Sequence, residues 1–541
     1  MKERIRVAAG SRRIDKSAVR EGVGFTTEAP PRAGGDPFDA TLNNWHPGIG
    51  SADRDWLPYR DTSVARTRNI IQNEPWAQAG LDAKAATVIG RGWLWSSRPN
   101  AKALGLDPAS EEYKALADSL EQAFEAWGND PAFRGDYYRS VPFGIQLYLI
   151  ALSLFREGEG LALVNFETDR ADTFKFYTTL QLMDPDRLSN PDDQIDDEHF
   201  RGGIELDDRG RPVRAHFRKA HPGDVSYLAF DAFEWESFNI REHWGRPRVI
   251  HIFDRDRVDQ HRGVSRLVSM LRRFKVLQSY TDAELKTAAL NATVFATIYS
   301  DGAGEYLAEA FGDQSMVGNL DGLVNLQNNF YKAQDPRFAG SRAVRVFPGD
   351  RVDMHTQGRA NAAFGEFTTV LLRSLAAGLG LTYEQLTKDF SKTNYSSARA
   401  AMIEAWRIVE RERKLIQDLF ADQVLLAVLE EAFDRGEIEV PAGCPDFWEA
   451  PAAYIKGRWI APAKGSVDMV KEGQGNALAV ANMQTTYDDL AAEAGRDLDD
   501  VIASQVRILT ALQEAGLSPA RLSEVMSGIH SALQGEDSEA A

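Results

Sequence analysis

A chain of 541 residues is too long for one compact core, so two to four domains are expected. Its composition is globular, 43% hydrophobic and 26% charged, and one cysteine, Cys444, excludes an intrachain disulfide and fits a reducing cytosol. A formal net charge of −18 argues against a protein that grips nucleic acid over much of its surface, though not against one that lets DNA pass.

Residues 1–55 read as irregular. Lys2, Arg4, Arg6, Arg12, Arg13, Lys16 and Arg20 outnumber Glu3 and Asp15, and Pro and Gly cluster between Pro30 and Pro37. The pattern suits a disordered tail or an arm around a neighbouring subunit. The start lacks the apolar core of a secretory signal, and the most apolar run, Phe143 to Phe155, contains Gln146 and falls short of the roughly 20 residues of a bilayer span. A soluble, intracellular product is expected.

From Trp56 to Ile89 the period is helical, broken at Pro75, with Asn73 as N-cap of the second helix. Ala79, Ala83, Ala85 and Ala86 give that helix a small-residue face, and Gly90-Arg91-Gly92 stops it. Further helices are predicted over Ser110–Trp127 and Gly144–Arg156. Between Gly160 and Phe253 the period shifts to short β-rich runs (LALVNFE, FKFYTTLQLM, RGGIELDD, RPVRAHFRK, WESFNIRE, RVIHIFD), with a hairpin turn at Asp208-Arg209-Gly210. This predicts a mostly antiparallel sheet.

Helical period returns over Val264–Tyr299, as one helix or two meeting near Ser279. Arg266, Arg272, Arg273 and Lys275 crowd its first half, and Ala283, Ala288, Ala289, Ala292 and Ala296 thin its second. A Gly- and Asn-rich insert over 300–350 carries a strand signal at 343–347, and a helix is predicted from Ala362 to Gly380. Pro441–Pro462 reads as irregular. Gly465–His530 reads as helical, with Tyr487–Leu512 amphipathic, and the last residues as a disordered tail.

Enzymatic motifs are missing: the sequence has no G-x-x-x-x-G-K-[ST] phosphate loop, no G-x-S-x-G elbow and no H-E-x-x-H. His251 and His261, flanking Asp254 and Asp256, are the one arrangement resembling a hydrolytic metal site. A strand histidine and a self-pairing charged turn explain them better. Asp192, Asp193, Asp196, Asp197 and Glu198 lack the spacing and turn glycine of an EF-hand and read as a solvated loop.

The most informative stretch is Leu381–Ile416, LTYEQLTKDFSKTNYSSARAAMIEAWRIVERERKLI. A polar, Gly-free loop feeds a helix that Ser396 or Ser397 can cap and that meets no Pro or Gly before Gly436. That is roughly 39 residues, about 58 Å long. Glu410 pairs with Arg413 and Lys414 at helical spacing, the sign of a structural charged face. Asp389-Phe390-Ser391-Lys392-Thr393-Asn394-Tyr395-Ser396-Ser397-Ala398-Arg399 resembles the signature of the lambda-family phage portal proteins. Collinear blocks extend the resemblance from Trp56 to Leu517: Arg66 to Ala77, Val88 to Gly92, Gly203 to Val213, Val249 to Ser265, Phe347 to Asp350, Leu371 to Leu381 and Trp459 to Lys464.

The resemblance implies an α+β, predominantly α-helical portal fold with long stem and wing helices, an antiparallel β-rich wing and clip, and a helical C-terminal crown, assembled as a cyclic ring of usually twelve copies. The implied parts are a wing (56–255), stem helix 1 (256–299), clip (300–355), stem helix 2 (356–380), tunnel loop (381–395), long wing helix and connector (396–464), crown (465–530) and tail (531–541). It implies a non-enzymatic channel for double-stranded DNA, without cofactor or metal, at the portal vertex of a virion. The implied partners are the terminase large subunit, the major capsid protein and a head–tail adaptor, with assembly in host cytoplasm. Candidate channel residues are Lys388, Asp389, Lys392, Asn394 and Tyr395. Arg266, Arg272, Arg273 and Lys275 face either the stem lumen or a neighbouring subunit. The competing readings are a metal-dependent DNA-processing hydrolase and a capsid or adaptor protein without a channel.

Overall fold

A computed structural model describes residues 48–168, 174–224, 233–292, 295–300, 350–355, 364–391, 395–465 and 469–514, with a few isolated positions besides. Met1–Ser51 and Ala52–Ala541 are separate units, and the elements below belong to the second. The first of them, helix α1 (Ala52–Trp56), begins inside the segment expected to be irregular.

Helices α2 (Arg60–Asn73) and α3 (Pro75–Val88) are separated by Pro75, as the sequence predicts. The cap of α3 is Glu74 rather than Asn73: the Glu74 carboxylate accepts from Trp76 N, while the Asn73 amide donates back to Asn69 O. The close-packing face of α3 is Ala77, Gly80, Leu81 and Ala85, which shares only Ala85 with the predicted alanine set. After strand β1 (Leu94–Ser97) and helix α4 (Ala101–Leu104), helix α5 (Glu111–Gly128) is capped by Ser110 and buries Leu116, Leu120, Phe124 and Trp127 at helical spacing. The apolar run at 143–155 forms helix α6 (Phe143–Glu157).

The β-rich region forms two antiparallel sheets. One has the order β3-β2-β8, from β2 (Glu159–Phe166), β3 (Thr178–Met183) and β8 (Val249–Phe253). The other has the order β4-β5-β6-β7, from β4 (Phe200–Arg201), β5 (Ile204–Leu206), β6 (Pro212–Arg218) and β7 (Trp235–Asn239). The hairpin at 207–211 turns at Gly210, with φ of 75°.

Beyond Gly263 the helical stretch expected over 264–299, as one helix or two meeting near Ser279, is a 3-10 turn at Arg266–Met270, helix α7 (Leu271–Ala292), unbroken at Ser279, and strand β9 (Phe295–Ser300). Strand β9 pairs antiparallel with β10 (Asp350–His355), so two ends far apart in sequence are held by a ladder, which outweighs the helical bias of Ala296. The strand predicted at 343–347 lies outside the described residues. Helix α8 (Phe364–Leu379) lies against α7 through Phe274 and Leu277 facing Leu372, Leu375 and Ala376, and through the Tyr280–Phe367 ring pair at 5.0 Å.

Residues 381–395 are not all loop, because a capping box at Thr382 starts helix α9 (Tyr383–Thr387). The long helix follows as α10 (Tyr395–Ile416), a π turn (Gln417–Ala421) and α11 (Asp422–Asp434). Its first helical residue is Tyr395, so Ser396 and Ser397 lie inside the first turn and do not cap it. Lys414 pairs with Asp418 rather than Glu410, at 2.5 Å. The irregular stretch 441–462 contains helix α12 (Pro451–Tyr454) and strand β11 (Gly457–Ile460), which pairs with β1. Helices α13 (Met469–Ala481), α14 (Tyr487–Glu493) and α15 (Leu498–Glu514) follow; Gly495, with φ of 73°, divides the predicted amphipathic stretch between α14 and α15.

The largest core joins α5, α6, the inner strands and α11, and includes Trp127, Leu147, Ile150, Ile252, Phe420 and Leu425. A second joins α3, α7, α8 and α9, and a third sits between the two sheets.

Candidate functional site: the loop before the long helix

The segment 388–391 projects from a rigid base. Thr382 Oγ1 accepts from Gln385 N at 3.1 Å and Gln385 Oε1 accepts from Thr382 N at 2.9 Å, fixing the start of α9. Leu386 is buried against α3, where Gly80 admits it: a Cβ on Gly80 would lie 2.4 Å from Leu379 Cδ1 and 3.2 Å from Leu386 Cδ1. Below the loop, Lys84 Nζ donates to Glu412 Oε1 at 2.7 Å and to Leu379 O at 3.1 Å. Both side chains are buried, so this pair ties α3, the end of α8 and α10 together. Burial pushes the Lys84 ammonium below its ordinary pKa.

Lys388 ends α9 in the left-handed region, with φ of 57°, and its backbone N–H donates to Glu384 O at 2.8 Å. The Lys388 side chain is exposed, and among the described residues no ion pair reaches its ammonium. Asp389 is also exposed, its Oδ1 accepting from Ser391 N at 3.0 Å, and Phe390 shows 59% of its surface. Lys392 and Asn394 lie outside the described residues; Tyr395 is the first residue of α10.

The four basic residues near α7 do not act as one group. Arg266 pairs with Asp254 at 3.2 Å and Glu412 at 3.4 Å. Arg273 donates to Ser374 Oγ on α8, and Lys275 Nζ donates to Gln278 Oε1 at 2.9 Å. Arg272 is exposed. Arg266 is therefore part of the joint between the α7–α8 pair and the long helix, while the other three remain on the outer side of the pair.

A second polar centre, unsignalled in the sequence, lies where α2, β2, β8 and the 260–263 turn converge. Glu159 is fully buried. Its Oε1 accepts from Arg60 Nη2 at 2.8 Å and Arg262 Nη2 at 2.6 Å, and its Oε2 accepts from His251 Nε2 at 2.8 Å and Gly263 N at 3.1 Å. Burial would raise the Glu159 carboxyl, but Arg262 and Arg60 overcome it and hold the group well below its ordinary range. Burial lowers His251 below its ordinary value, so it stays neutral and donates. The main chain crosses closely here: a Cβ on Gly263 would sit 2.1 Å from Gly158 O.

This geometry gives the two histidines of the hydrolase reading different carboxylate partners, although both line one cavity. His251 is bound to Glu159, whereas His261 Nδ1 meets Asp53 Oδ2 at 2.7 Å. Asp254 is engaged by Arg266 and Arg411 rather than by its own turn. The acidic 192–198 loop folds on itself: Asp196 accepts from Asn190 Nδ2 and Gly202 N, and Asp197 from His199 N and Phe200 N. Asp184, Asp186 and His221 do converge within 4.8 Å, but Arg60 and Arg68 already engage those carboxylates.

The helical hairpin α7–α8, the projecting loop and the long helix buttressed by antiparallel sheets together have the build of a phage portal protein. The family described as "Phage portal protein, lambda family" matches residues 38–413, more than half of the chain, and the chain belongs to that family. It is 28% identical over 515 residues to the portal protein of Escherichia phage N15, covering 93% of each chain. It is 27% identical over 509 residues to portal protein B of Escherichia phage lambda, covering 93% of this chain and 92% of that one. Among solved structures it is similar to a chain from the neck of an empty gene transfer agent particle, with 14% identity, a TM-score of 0.44, and coverage of 84% of this chain and 97% of the other.

Proposed function

We propose that copies of this chain form a ring, usually twelve in this family, at one capsid vertex, with α7 and α8 lining the stem of a channel for double-stranded DNA. The parts divide as wing 56–255, stem 256–299 and 356–380, clip 300–355, tunnel loop 381–395, long wing helix and connector 396–464 and crown 465–530. A separate terminase supplies the force; the major capsid protein and a head–tail adaptor dock on the outside, during assembly in the host cytoplasm and in the finished virion.

The observation that carries the tunnel-loop assignment is the contrast between anchor and tip. Leu386 and the Lys84–Glu412 pair fix the base, while Lys388 holds an ammonium in solvent with no ion pair among the described residues. Repeated around a ring, such lysines make a band of positive charge whose reach at physiological salt is about 8 Å. Such a band guides phosphate without holding it. The arrangement of Glu159, His251 and His261 favours a structural role for the hydrolase candidates.

Replacing Lys388 and Lys392 together with Ala is expected to leave particle assembly and ring size unchanged and to reduce DNA packaged or retained per particle. Unchanged packaging and retention would remove these residues from the channel wall. A purified sample that remains monomeric at every concentration, even within particles, would remove the ring.

A further inference from the structure

Helices α13 to α15 have almost no core. Between Met469 and Glu514 every residue is exposed or half-buried except Asp497, a carboxylate 7% exposed. Apolar side chains such as Met469, Leu478, Tyr487, Ile502 and Val506 face outward. Hydrophobic burial within one chain therefore does little to hold this segment in place.

Charge does the holding. Arg98, just past β1, donates both terminal nitrogens to the Asp488 carboxylate, and Arg458 on β11 donates to Asp489 Oδ1 at 2.6 Å and to Asp488 O at 3.2 Å. Asp488 and Asp489 lie in the first turn of α14, where the helix dipole favours anions. The β1–β11 ribbon is thus a two-arginine seat for one helix end.

The same seat carries a conflict. Four of the seven buried polar side-chain atoms that lack a hydrogen-bond partner among the described residues are Trp95 Nε1, Ser97 Oγ, Arg98 Nε and Asp497 Oδ2. They lie on the ribbon's first strand, just beyond it, or just before α15. Beside them is a groove of about 1020 Å³, floored by Trp93, Trp95 and Phe124 and rimmed by carboxylates. Glu121 on α5 accepts from Ser97 N at 3.2 Å and is pushed up to about 7, by partial burial first and then by Asp497, Asp118 and Asp500. The charged groups that share its groove are Asp118 and Glu125 from α5, Arg91 ahead of β1, and Asp497, Asp499 and Asp500 from the start of α15; the paired Arg98, Arg458, Asp488 and Asp489 form the seat.

We propose that Met469–Glu514 is a releasable strap: the Arg98 and Arg458 ion pairs seat it on the β1–β11 ribbon, the facing carboxylates of Glu121 and α15 loosen it, and its release opens the aromatic-floored groove. The sign follows from Glu121. Seating brings up Asp497 and Asp500, which raise its proton affinity on top of the partial burial, so seating takes up a proton and is strengthened as pH falls toward the ordinary carboxylate range. It weakens as pH rises through about 7. Taking an ordinary value when the strap is off, the seating constant falls about tenfold at most between pH 6 and pH 8, and by less in proportion to the partial exposure of Glu121. Salt weakens the arginine pairs at either pH.

The test is hydrogen exchange on the full chain, corrected for intrinsic rates, at pH 6 and pH 8 and at low and high salt. Wild type should lose protection over 487–514 several-fold at pH 8, and more in high salt. Glu121→Gln, which removes the ionisable group and keeps an acceptor for Ser97 N, should hold protection level across pH. Arg98→Ala with Arg458→Ala should abolish protection at pH 6 while sparing 143–166. If that double variant loses protection everywhere, it has misfolded, and the Glu121→Gln and salt comparisons decide. Equal protection of 487–514 at both pH values in wild type overturns the proposal, as does a pH dependence that survives in Glu121→Gln.

Discussion

Glu159→Gln tests whether the buried centre holds the sheet to the 260–263 turn that leads into α7. The carboxylate faces two guanidinium groups whose side chains are 5% and 2% exposed, Arg60 and Arg262. Gln is nearly isosteric, so it removes the charge and leaves Arg262 buried with only the carbonyl acceptors Pro185 O, Leu188 O and Gly202 O, while Arg60 keeps Asp61 and Asp186. Its amide group also sets a donor toward either the guanidinium groups or the His251 and Gly263 N–H groups. Breaking a buried ion pair from one side costs about 3–5 kcal/mol. Urea unfolding of the unassembled chain near pH 7 should show a loss in that range, with exchange protection falling first at β2 and β8. Adding Arg262→Met should recover part of the loss, because one stranded cation is gone. The pH dependence has a fixed sign. The Glu159 carboxyl is held well below its ordinary 4.5, so its contribution is complete above that value and is lost as pH falls through the depressed one. The variant should lack that acid-side loss. A Glu159→Gln protein within about 1 kcal/mol of wild type at neutral pH, with an unchanged acid limb, would refute this account.

Two further outcomes follow from single side chains. Arg413 donates to Thr87 O, Val88 O and Pro462 O, closing the C-terminus of α3, and burial lowers it to about 10. Arg413→Ala should destabilise the chain by about 3 kcal/mol in urea unfolding, and Arg413→Lys should recover only a minor part, since an ammonium lacks the guanidinium fork. Lys388→Gly removes a side chain from a left-handed backbone and should stabilise the fold by about 1 kcal/mol, read by thermal unfolding, while reducing DNA retention in particles.

The sequence carries the local signals well. Pro75, Ser110 and the 207–211 turn punctuate where their chemistry says, and the strand runs between 159 and 253 appear as antiparallel sheets. Legibility fails where distant partners decide. Ala292 and Ala296 look alike as helix formers, yet pairing with 350–355 puts the second on a strand. Glu74 outcompetes Asn73 because the chain direction at Pro75 places its carboxylate over Trp76 N. The exposure of Lys388 follows from the polar loop it opens, but its left-handed backbone has no signal in the sequence. The Glu159 centre was not, since its members come from residues 60, 159, 251 and 262 and only the fold brings them together.

The π turn at Gln417–Ala421 makes one rod out of two differently employed halves. Ile416, Phe420, Val424, Val428 and Ala432 recur every four residues on the buried side. A regular α-helix would carry such a repeat round by about 40° per step, and a slower-winding turn takes some of that rotation back. Nine residues of α11 are buried, making it an axle fixed in the body of the protein. Beyond the turn, α10 carries Glu404, Arg407, Glu410 and Arg411 in solvent and ends at the loop, like the arm of a lever. Movement at the loop tip would thus reach the body by two routes, the buried Lys84–Glu412 and Arg413 ties of α10 to α3 and the wide coil that joins α10 to the axle.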